Sequence, residues 1–553
     1  MLALGASSAA RRHCHCLVKP SYETARFRRY PLAMKGAVAA GHPLTAQAGA
    51  RILAEGGNAV DACIASAFVS WVAESPLTGP GGGGFMLVHS ARDGSDRLLD
   101  FFVAVPGADL PPGEAEPMVS IDVPFDERTT QVFLIGPAAV AVPGAPAGLA
   151  NAHRRFGRLP WGELLTPAVE LARRGVKLNA GQAFLHDILD AILRHEDAGR
   201  DVYGRDAPLE EGQTIVMDEL AGTLEWLAAE GAETLYRGEL ARRVAEAVRE
   251  RGGRVTESDL ADYRVIQRRP VRAAYRGTEF VSNPPPSSGG LLIAFALRVL
   301  DRLGPMPARG SAEAIAELTE AMRETARARG GSFVADLYRG GATRRMLADN
   351  RVEVAAQAVR GRTRVPAHEA TGVPSTTHIS VVDGAGNAAS LSASTGCGSG
   401  FFVPGTGIQL NNMLGEPDLN PPGRVARPGE RLTSMMAPSF VLERGLPKLV
   451  VGSAGSIRLR AAILQIVVNV VDHGLDAEEA VQAPRVHLDV DTLQLEDGIE
   501  AATADALEQE GYDVTRWAGR NLYFGGANAV VARNGELEAA GDLRRGGAGV
   551  VVA

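Results

Sequence analysis

A strand–turn–strand pattern at residues 376–394 constrains the fold most, because two threonines stand where its first strand begins. Apolar residues at 379, 381 and 382 favour a strand, and the Asp-Gly-Ala-Gly-Asn sequence at 383–387 supplies turn chemistry. A hydroxyl at the first residue of a strand can point into a cleft while the sheet holds it still. Threonine also favours β structure for its own sake, so Thr376 and Thr377 could merely start a strand.

Two downstream segments favour a chemical role for this pair. The sequence Leu-Thr-Ser-Met-Met-Ala-Pro at 432–438 precedes an apolar run, and a second apolar run at 449–451 enters a Gly-Ser-Ala-Gly-Ser turn at 452–456. A buried strand that ends in such a turn exposes consecutive backbone N–H groups, which an oxyanion needs. The turn leads into an apolar segment of helical length at 459–472. Together these features predict a threonine nucleophile, hydroxyl-bearing contacts and an anion-holding turn.

Three motifs of the chain occur in a specific order. They are Thr376-Thr377-His378-x-Ser380-Val381-Val382-Asp383, then Pro404-Gly405-Thr406-Gly407 with Leu410-Asn411-Asn412, and then Gly452-Ser453-x-Gly455 with Ala483-Pro484-Arg485. Together they resemble the γ-glutamyltransferase (γ-glutamyltranspeptidase, glutathione hydrolase) family of self-cleaving N-terminal-nucleophile hydrolases. The resemblance runs from about residue 37 to the C-terminus. It implies an α+β fold, the four-layer αββα sandwich.

The resemblance also implies processing at the Ser375–Thr376 bond. A poorly ordered extension at 1–33 would precede a large subunit at 34–375, and residues 376–553 would form the small subunit of the same αββα domain. The polar segment 361–375 suits a flexible, cleavable linker. The two subunits are then each other's partner, and a homo-oligomer of such heterodimers stays open.

The catalytic residues follow from the same resemblance. A neutral threonine hydroxyl needs a base, and in this family the freed α-amine of the nucleophile, here Thr376, supplies it. Ser394 falls where relatives place a hydroxyl that hydrogen-bonds the nucleophile. The backbone N–H groups of Gly455 and Ser456 would hold the oxyanion. The acyl group would pass from the enzyme to water or to an amine.

The expected substrate contacts match the family only in part. Relatives carry Asp-Phe-Arg-Glu-x-Ala-Pro, whose arginine grips the substrate α-carboxylate, whereas residues 100–106 read Asp-Phe-Phe-Val-Ala-Val-Pro and place Phe102 there. An asparagine expected after the Ser394 position appears as Gly396, and Met413 replaces a common glutamine. Half of the glutamate clamp is therefore missing.

Three further substrate-binding positions are retained. Glu416 best matches the acidic residue that meets the substrate α-amine, and Thr433 and Ser434 match paired hydroxyls. Only residues 417–427 separate Glu416 from the next matching segment, where many relatives insert a longer lid. Because lids exclude water, this short loop favours hydrolysis over transfer.

Composition excludes several other classes of function. The chain has 553 residues, a net charge of −8 and a pI of about 5.9, so no basic field favours nucleic acid. No run reaches the ~18 apolar residues of a membrane span, and no continuous apolar core of a signal peptide appears in residues 1–33. We therefore expect a cytoplasmic protein, although a misassigned start upstream of Met34 is an alternative.

Neither a metal nor a cofactor is expected. Cys63 and Cys397 are predicted to be free thiols, and Cys14 and Cys16, which alternate with histidines, suit a disordered tail better than a metal site. The glycine-rich loop at 78–85 lacks a Gly-Lys-Ser/Thr ending and precedes a strand, so it predicts close backbone packing and not nucleotide binding.

The sequence thus predicts a self-processing threonine amidohydrolase or acyltransferase that cleaves γ-glutamyl amides such as glutathione through an acyl-enzyme. Two alternatives stay open. One is a related acylase with another acyl donor, and the other is a poorly maturing family member with a binding or structural role. Helices are expected at 59–73, 291–303, 459–472 and across 311–360.

Overall fold

A computed structural model describes residues 35–111, 117–124, 130–362, 376–420 and 426–553 of the chain. The predicted extension at 1–33, with Cys14 and Cys16, lies outside the described residues, as do Ser375 and most of the predicted linker. Thr376 is described, and it begins the C-terminal part of the structure.

Two large sheets form the centre of the molecule. The first has the strand order β22 (Ala548–Val552), β1 (Gly36–Ala40), β11 (Thr377–Asp383), β12 (Ala388–Ser394), β2 (Gly83–Ser90), β3 (Ser95–Phe101) and β8 (Ile266–Arg268). The second has the order β21 (Glu536–Gly541), β20 (Gly526–Arg533), β16 (Leu446–Ala454), β15 (Ser439–Glu443), β10 (Thr278–Ser282) and β9 (Val271–Tyr275). Each sheet combines strands from before and after Thr376.

Four small sheets complete the β structure of the described residues. They pair β4 (Val119–Pro124) with β5 (Thr130–Ile135), β6 (Val176–Lys177) with β7 (Thr214–Ile215), β13 (Phe402–Val403) with β14 (Ile408–Gln409), and β17 (Val486–Asp489) through β18 (Thr492–Leu495) with β19 (Asp513–Arg516).

Helices α1 to α10 lie between strands β1 and β8 in chain order. They are α1 (Pro43–Ala54), α2 (Ala59–Ala73), α3 (Ala145–Phe156), α4 (Trp161–Arg174), α5 (Ala180–Ile188), α6 (Asp190–Leu193), α7 (Asp197–Tyr203), α8 (Asp218–Glu230), α9 (Glu239–Arg249) and α10 (Glu257–Asp262). The later helices are α11 (Gly289–Leu303), α12 (Ala312–Ala328), α13 (Phe333–Arg339), α14 (Ala342–Met346), α15 (Asp349–Arg360), α16 (Arg458–Val471), α17 (Ala477–Gln482) and α18 (Ala501–Gln509).

Apolar packing joins these elements in four layers. Helices α1 and α2 cover the outer face of the first sheet, and α11 and α16 cover the outer face of the second. Between the sheets lies a third core, to which Phe85, Val281, Phe440 and Val450 contribute. Each strand of such a sandwich buries both faces, which explains why β11 and β12 are buried at every residue. The predicted αββα sandwich is confirmed.

Helix α2 shows how the sequence builds this architecture. Asn58 caps its N-terminus by accepting from the amides of Val60 and Asp61, and the Asp61 carboxylate accepts from the Asn58 amide in return. All fifteen of its residues are buried, as its continuous apolar composition predicts. Cys63 lies here as a buried free thiol, and Cys397 is a buried free thiol as well, so both predictions are confirmed.

Predicted helices agree with the structure where their sequence is uninterrupted. Helices α11 and α16 begin and end within two residues of their predicted bounds. Residues 311–360, in contrast, form four helices instead of one continuous stretch. Glycines at 330–331 and 340–341 lie between them, three of the four positions carry a positive φ, and such glycines end helices.

The glycine-rich loop packs against backbone, as predicted. A Cβ atom on Gly81 would come within 2.2 Å of the Gln409 carbonyl oxygen, and one on Gly82 within 2.3 Å of the Ser394 carbonyl oxygen. Side chains cannot fit at such distances, so this loop lets β2 lie directly beside the end of β12.

Within the part of the chain that the structure describes, no helix combines the length and apolar character needed to cross a bilayer. The cytoplasmic location stays a prediction.

Candidate active site

Most of the predicted site residues come together around one cavity of about 60 Å³, which we call the front cavity. Its lining includes Phe102, Thr376, Ser394, Gly396, Met413, Glu416, Ser434 and Ser456. These residues come from the ends of β3, β12 and β16, from the start of β11 and from two loops that hold Met413, Glu416 and Ser434. At 10–15 Å³ per water the cavity holds roughly four waters, well below the ~300 Å³ of a ligand pocket. The predicted site residues that line it therefore surround a small, closely packed cavity.

Thr376 and Ser394 lie at the same edge of the first sheet. In the antiparallel pair, Thr377 is opposite Ala393, so one further step places Thr376 beside Ser394. Thr376 is 7% exposed and Ser394 is 4% exposed. The Ser394 hydroxyl accepts a hydrogen bond from the Gly396 amide at 2.9 Å, which fixes its position.

The turn after β16 presents backbone N–H groups at the start of a helix. Gly455 has a φ of +134° and Ser456 a φ of +50°, a conformation that is unusual for a residue with a side chain. Neither backbone N–H donates a hydrogen bond within the described ranges. The turn precedes α16, and the positive end of a helix dipole favours an anion. Ser456 lines the front cavity, and Gly455 directly precedes it.

Glu416 supplies a carboxylate at the wall of the front cavity. The side-chain amide of Asn412 donates to its Oε1 at 3.1 Å, and the backbone of Cys397 donates to Asn412 in turn. Burial raises the pKa of Glu416 to about 7, and the nearby Asp418 carboxylate adds to the shift. Gly396 leaves the room for this arrangement, because a Cβ there would lie 1.9 Å from the Asn412 side-chain oxygen.

Phe102 provides an aromatic wall. Its ring is 1% exposed and stacks on Phe85, with 5.4 Å between the ring centroids. None of the described lining residues is a lysine, an arginine or a histidine. The nearby Arg268 and Arg431 instead face Asp100, at 2.7 Å and 3.5 Å from its carboxylate oxygens.

The paired hydroxyls at 433–434 separate in the structure. Ser434 lines the front cavity, and its hydroxyl accepts from the Met436 amide at 3.1 Å. Thr433 is absent from the described lining, and its hydroxyl donates to the Pro286 carbonyl at 2.8 Å. The Thr433 hydroxyl is therefore committed to a backbone carbonyl, and its part in substrate binding stays a prediction. A local sequence match could not show this, because Pro286 is distant in sequence.

Sequence reasoning missed a second group of charges, on the other side of Thr376. The Thr377 hydroxyl donates to the Glu74 carboxylate, and Thr45 donates to the same group at 2.7 Å. Burial raises the pKa of Glu74, although these hydrogen bonds and the positive charge of Arg545 oppose the rise. These residues surround a smaller cavity of about 20 Å³, the rear cavity, lined by Gly41, His42, Glu74, Pro76, Leu77, Gln182, Leu185, Thr376, Thr377, His378, Ala454, Gly526, Asn528, Asp542 and Arg545.

Arg545 is the unusual member of the rear cavity. Its guanidinium is buried, and none of its three nitrogens has a hydrogen-bond partner among the described residues. Burial lowers its pKa to about 10. Neither Glu74 nor Arg545 carries a local sequence signal, because each lies far along the chain from Thr376.

His378 holds the two sheets together. Its ring nitrogens lie 2.8 Å from the Ser392 hydroxyl and 2.9 Å from the Ser380 hydroxyl, and the Ser380 hydroxyl donates to Asn528 of the second sheet. Burial lowers the pKa of His378 to about 3, so the ring is neutral. The histidine of the motif is therefore a structural link between the sheets.

Comparison with known proteins settles the family. The family model described as gamma-glutamyltranspeptidase matches residues 45–552. The chain belongs to this family. The chain is 34% identical over 538 residues to the acylase ACY 1 proenzyme of Pseudomonas sp. (strain SE83), with 94% of each protein covered. It is 31% identical over 545 residues to the glutathione hydrolase proenzyme of Escherichia coli (strain K12), covering 93% of this chain and 91% of that protein.

Solved structures agree with this assignment. The crystal structure of cephalosporin acylase from Bacillus halodurans aligns with a TM-score of 0.80 at 25% identity, over 97% of this chain and 99% of that one. The chain is therefore a hydrolase of the γ-glutamyltranspeptidase family with the N-terminal-nucleophile fold. Its similar proteins include both acylases and glutathione hydrolases, so family membership leaves the acyl donor open.

Proposed function

We propose that this protein is a self-processing threonine amidohydrolase whose acyl donors resemble γ-glutamyl groups but need no α-carboxylate. The first step is cleavage of the Ser375–Thr376 bond. The Thr376 hydroxyl attacks the Ser375 carbonyl, the Thr376 nitrogen leaves as an amine, and water opens the resulting ester. The place of Thr376 in the lining of the front cavity, one residue before β11, supports its role as the attacking hydroxyl.

The mature reaction uses the same atoms. The free α-amine of Thr376 takes the proton of its hydroxyl as the oxygen attacks the substrate carbonyl. The Gly455 and Ser456 amides stabilise the oxyanion, and the amine leaving group takes the proton. Water then opens the acyl-enzyme. Two observations support this assignment: neither amide donates a hydrogen bond among the described residues, and Ser456 lines the front cavity together with Thr376.

Phe102 is the observation behind the proposal that the acyl donor needs no α-carboxylate. Removing one partner of a closed arginine–carboxylate pair costs about 2–5 kcal/mol. At about 1.4 kcal/mol per tenfold change, this corresponds to roughly thirtyfold to several thousandfold in binding. A phenyl ring offers no donors and penalises an unpaired carboxylate beside it. Glu416 can still accept from an α-amine, so a donor that carries the amine alone suits the front cavity best.

Two anilides that differ in one group test this proposal. We would measure kcat/KM for γ-glutamyl p-nitroanilide and for 4-aminobutanoyl p-nitroanilide, which lacks only the α-carboxylate. The native enzyme should cleave the second substrate as well as the first, or better. A hundredfold preference for the γ-glutamyl compound would contradict the proposal, because it would require another cation in the cavity.

Substitutions at position 102 provide the matched control. Phe102→Arg restores a guanidinium and should shift the preference towards the γ-glutamyl compound by at least tenfold. Phe102→Leu removes the ring without adding charge, so its ratio of the two kcat/KM values should stay close to that of the native enzyme. Equal shifts in both variants would show that the ring's shape, and not the missing charge, sets the preference.

A further inference from the structure

A larger cavity, which we call the Trp71 cavity, is lined by Thr395, whereas the neighbouring residue Ser394 lines the front cavity. It measures about 380 Å³, which falls within the range of small-molecule sites. Trp71 and Tyr203 contribute to its walls, and Thr395, the residue after Ser394, also lines it. It shares no described lining residue with the front or the rear cavity. A ligand here would therefore occupy a site separate from the acyl donor.

The charged side chains in the described lining of the Trp71 cavity are all acidic. Asp201, Asp218 and Glu219 line it and are exposed, and no lysine, arginine or histidine belongs to its described lining. Asp201 pairs with Arg205 on the surface, and Glu219 accepts from the Gly407 amide at 3.2 Å. A concave surface lined by one sign of charge concentrates ligands of the opposite sign, so this cavity favours a cation.

Its interior combines aromatic rings with polar atoms that have no partner. Tyr203 and Phe402 lie with 6.4 Å between their ring centroids. Gln409 is 7% exposed and Thr395 is 1% exposed, yet both side-chain amide atoms of Gln409 and the hydroxyl of Thr395 have no hydrogen-bond partner within the described residues. Leaving such a buried group unpaired costs roughly 1–3 kcal/mol. A ligand with a polar group could satisfy them after a small side-chain adjustment.

We propose that the Trp71 cavity binds a small organic ammonium compound with an apolar body. Its ammonium group lies near Asp218 and Glu219 in the first turn of α8, where two carboxylate charges outweigh the helix dipole's positive end of about half a charge. Its apolar body packs against Trp71 and Tyr203, where an aromatic face also attracts a cation. This site would therefore select a positively charged ligand, whereas the Gly455–Ser456 turn would bind the negative charge of an oxyanion.

Three phenyl compounds of similar size that differ in charge test this proposal on the full-length protein. The probes are 2-phenylethylamine, 2-phenylethanol and 3-phenylpropanoate, titrated to 10 mM by calorimetry. We expect saturable binding of the amine, at least tenfold weaker binding of the alcohol and no binding of the carboxylate. Equal affinities for the three probes, or no binding of the amine, would overturn the proposal.

Variants locate the bound amine. Asp218→Asn combined with Glu219→Gln should weaken amine binding at least fivefold, whereas Glu257→Gln combined with Glu313→Gln, exposed carboxylates in the first turns of two other helices, should leave it unchanged. Ala198→Phe adds a ring at an exposed lining position and should block binding without disturbing the core.

The front cavity is the competing location for the amine, because Glu416 also carries a carboxylate. Glu416→Gln should leave the affinity for 2-phenylethylamine unchanged if the Trp71 cavity holds the amine. Loss of binding in Glu416→Gln, with retention in the Asp218/Glu219 double variant, would place the amine beside Thr376 and overturn the proposal.

Discussion

Thr376 and Thr377 are adjacent residues with contrasting surroundings. The Thr377 hydroxyl belongs to a closed group of buried charges, in which Glu74 accepts two hydroxyl donors and Arg545 lies nearby. Thr376 also borders the front cavity, whose wall combines apolar side chains with hydroxyls and two carboxylates, of which Glu416 has a raised pKa. The start of β11 is therefore held by buried hydrogen bonds on one side, which we call the rigid side, while its other side, the substrate side, borders the front cavity.

The largest expected effect separates the two threonines. Thr376→Ala should stay one chain of 553 residues and lose at least ten-thousandfold in hydrolysis, because it lacks the nucleophile. The native protein should show fragments of 375 and 553 − 375 = 178 residues on denaturing gels. A Thr376→Ala protein that still splits there would remove Thr376 from the reaction. A native protein that stays whole would favour the binding or structural alternative.

The second expected effect concerns the hydroxyl opposite Thr376. Ser394→Ala removes the group that the Gly396 amide fixes, so cleavage and hydrolysis should both slow by on the order of a hundredfold. Ser394→Thr retains a hydroxyl and should keep most of the activity. Rate constants for the appearance of the two fragments and for anilide hydrolysis measure both steps, and equal rates in Ser394→Ala and Ser394→Thr would argue against the role.

The third effect tests the rigid side. Thr377→Val removes one of the two hydroxyl donors to buried Glu74. The free energy of unfolding of the precursor should fall by about 1–3 kcal/mol, since the carboxylate loses a partner. Chemical denaturation of the Thr376→Ala background measures this, and Thr377→Ser, which keeps the hydroxyl, is the control. Cleavage should persist in Thr377→Val with Thr376 intact, and complete loss of cleavage would show that Thr377 takes part in the reaction.

The fourth effect is a pH dependence on the substrate side. Because burial raises the pKa of Glu416 to about 7, its carboxylate is mostly protonated at pH 6 and mostly charged at pH 8. The ratio of kcat/KM for 4-aminobutanoyl anilide to that for butanoyl anilide should therefore rise by up to about tenfold across this range. Glu416→Gln should flatten the ratio. An unchanged pH dependence in this variant would exclude Glu416 as the amine's partner.

Glu416 affects stability in the opposite direction: a rise in pH strengthens its binding of an amine but lowers its contribution to the free energy of unfolding. The folded-state pKa of Glu416 lies above its ordinary value of 4.5, so the native state binds more protons between about pH 4.5 and 7. Its contribution to the free energy of unfolding therefore falls as pH rises through this window. Thermal denaturation of the Thr376→Ala protein with and without Glu416→Gln measures the difference, which should favour the glutamine variant at pH 8.

The smallest expected effect concerns the fate of the acyl-enzyme. With glycylglycine as acceptor, hydrolysed product should exceed transferred product by a few-fold, because only eleven residues, 417–427, follow Glu416 before the next family segment. Quantifying both products by chromatography tests this expectation. Mostly transferred product would show that the short loop still excludes water.

The sequence predicts the layers and the substrate side better than the rigid side. Helices with continuous apolar patterns, such as α2 and α16, were found because burial demands that pattern. The motifs brought Thr376 and Ser394 to one cavity because both belong to a local strand–turn–strand unit. Glu74 and Arg545 were missed because their meeting depends on tertiary contacts between segments that are distant along the chain, which no local pattern records.

Strand order has a consequence for molecularity. Strand β1 lies between β22 and β11, with five paired residues on each side, and β2 pairs with β12. A cut before Thr376 would thus leave two polypeptides interleaved in one hydrogen-bonded ladder, unable to separate while folded. The precursor folds as a first-order process, whereas the cut protein can refold only by a second-order encounter of two chains. The midpoint of unfolding of the cut protein should therefore depend on protein concentration. In dilute solution, unfolding would separate the two chains and inactivate the enzyme irreversibly.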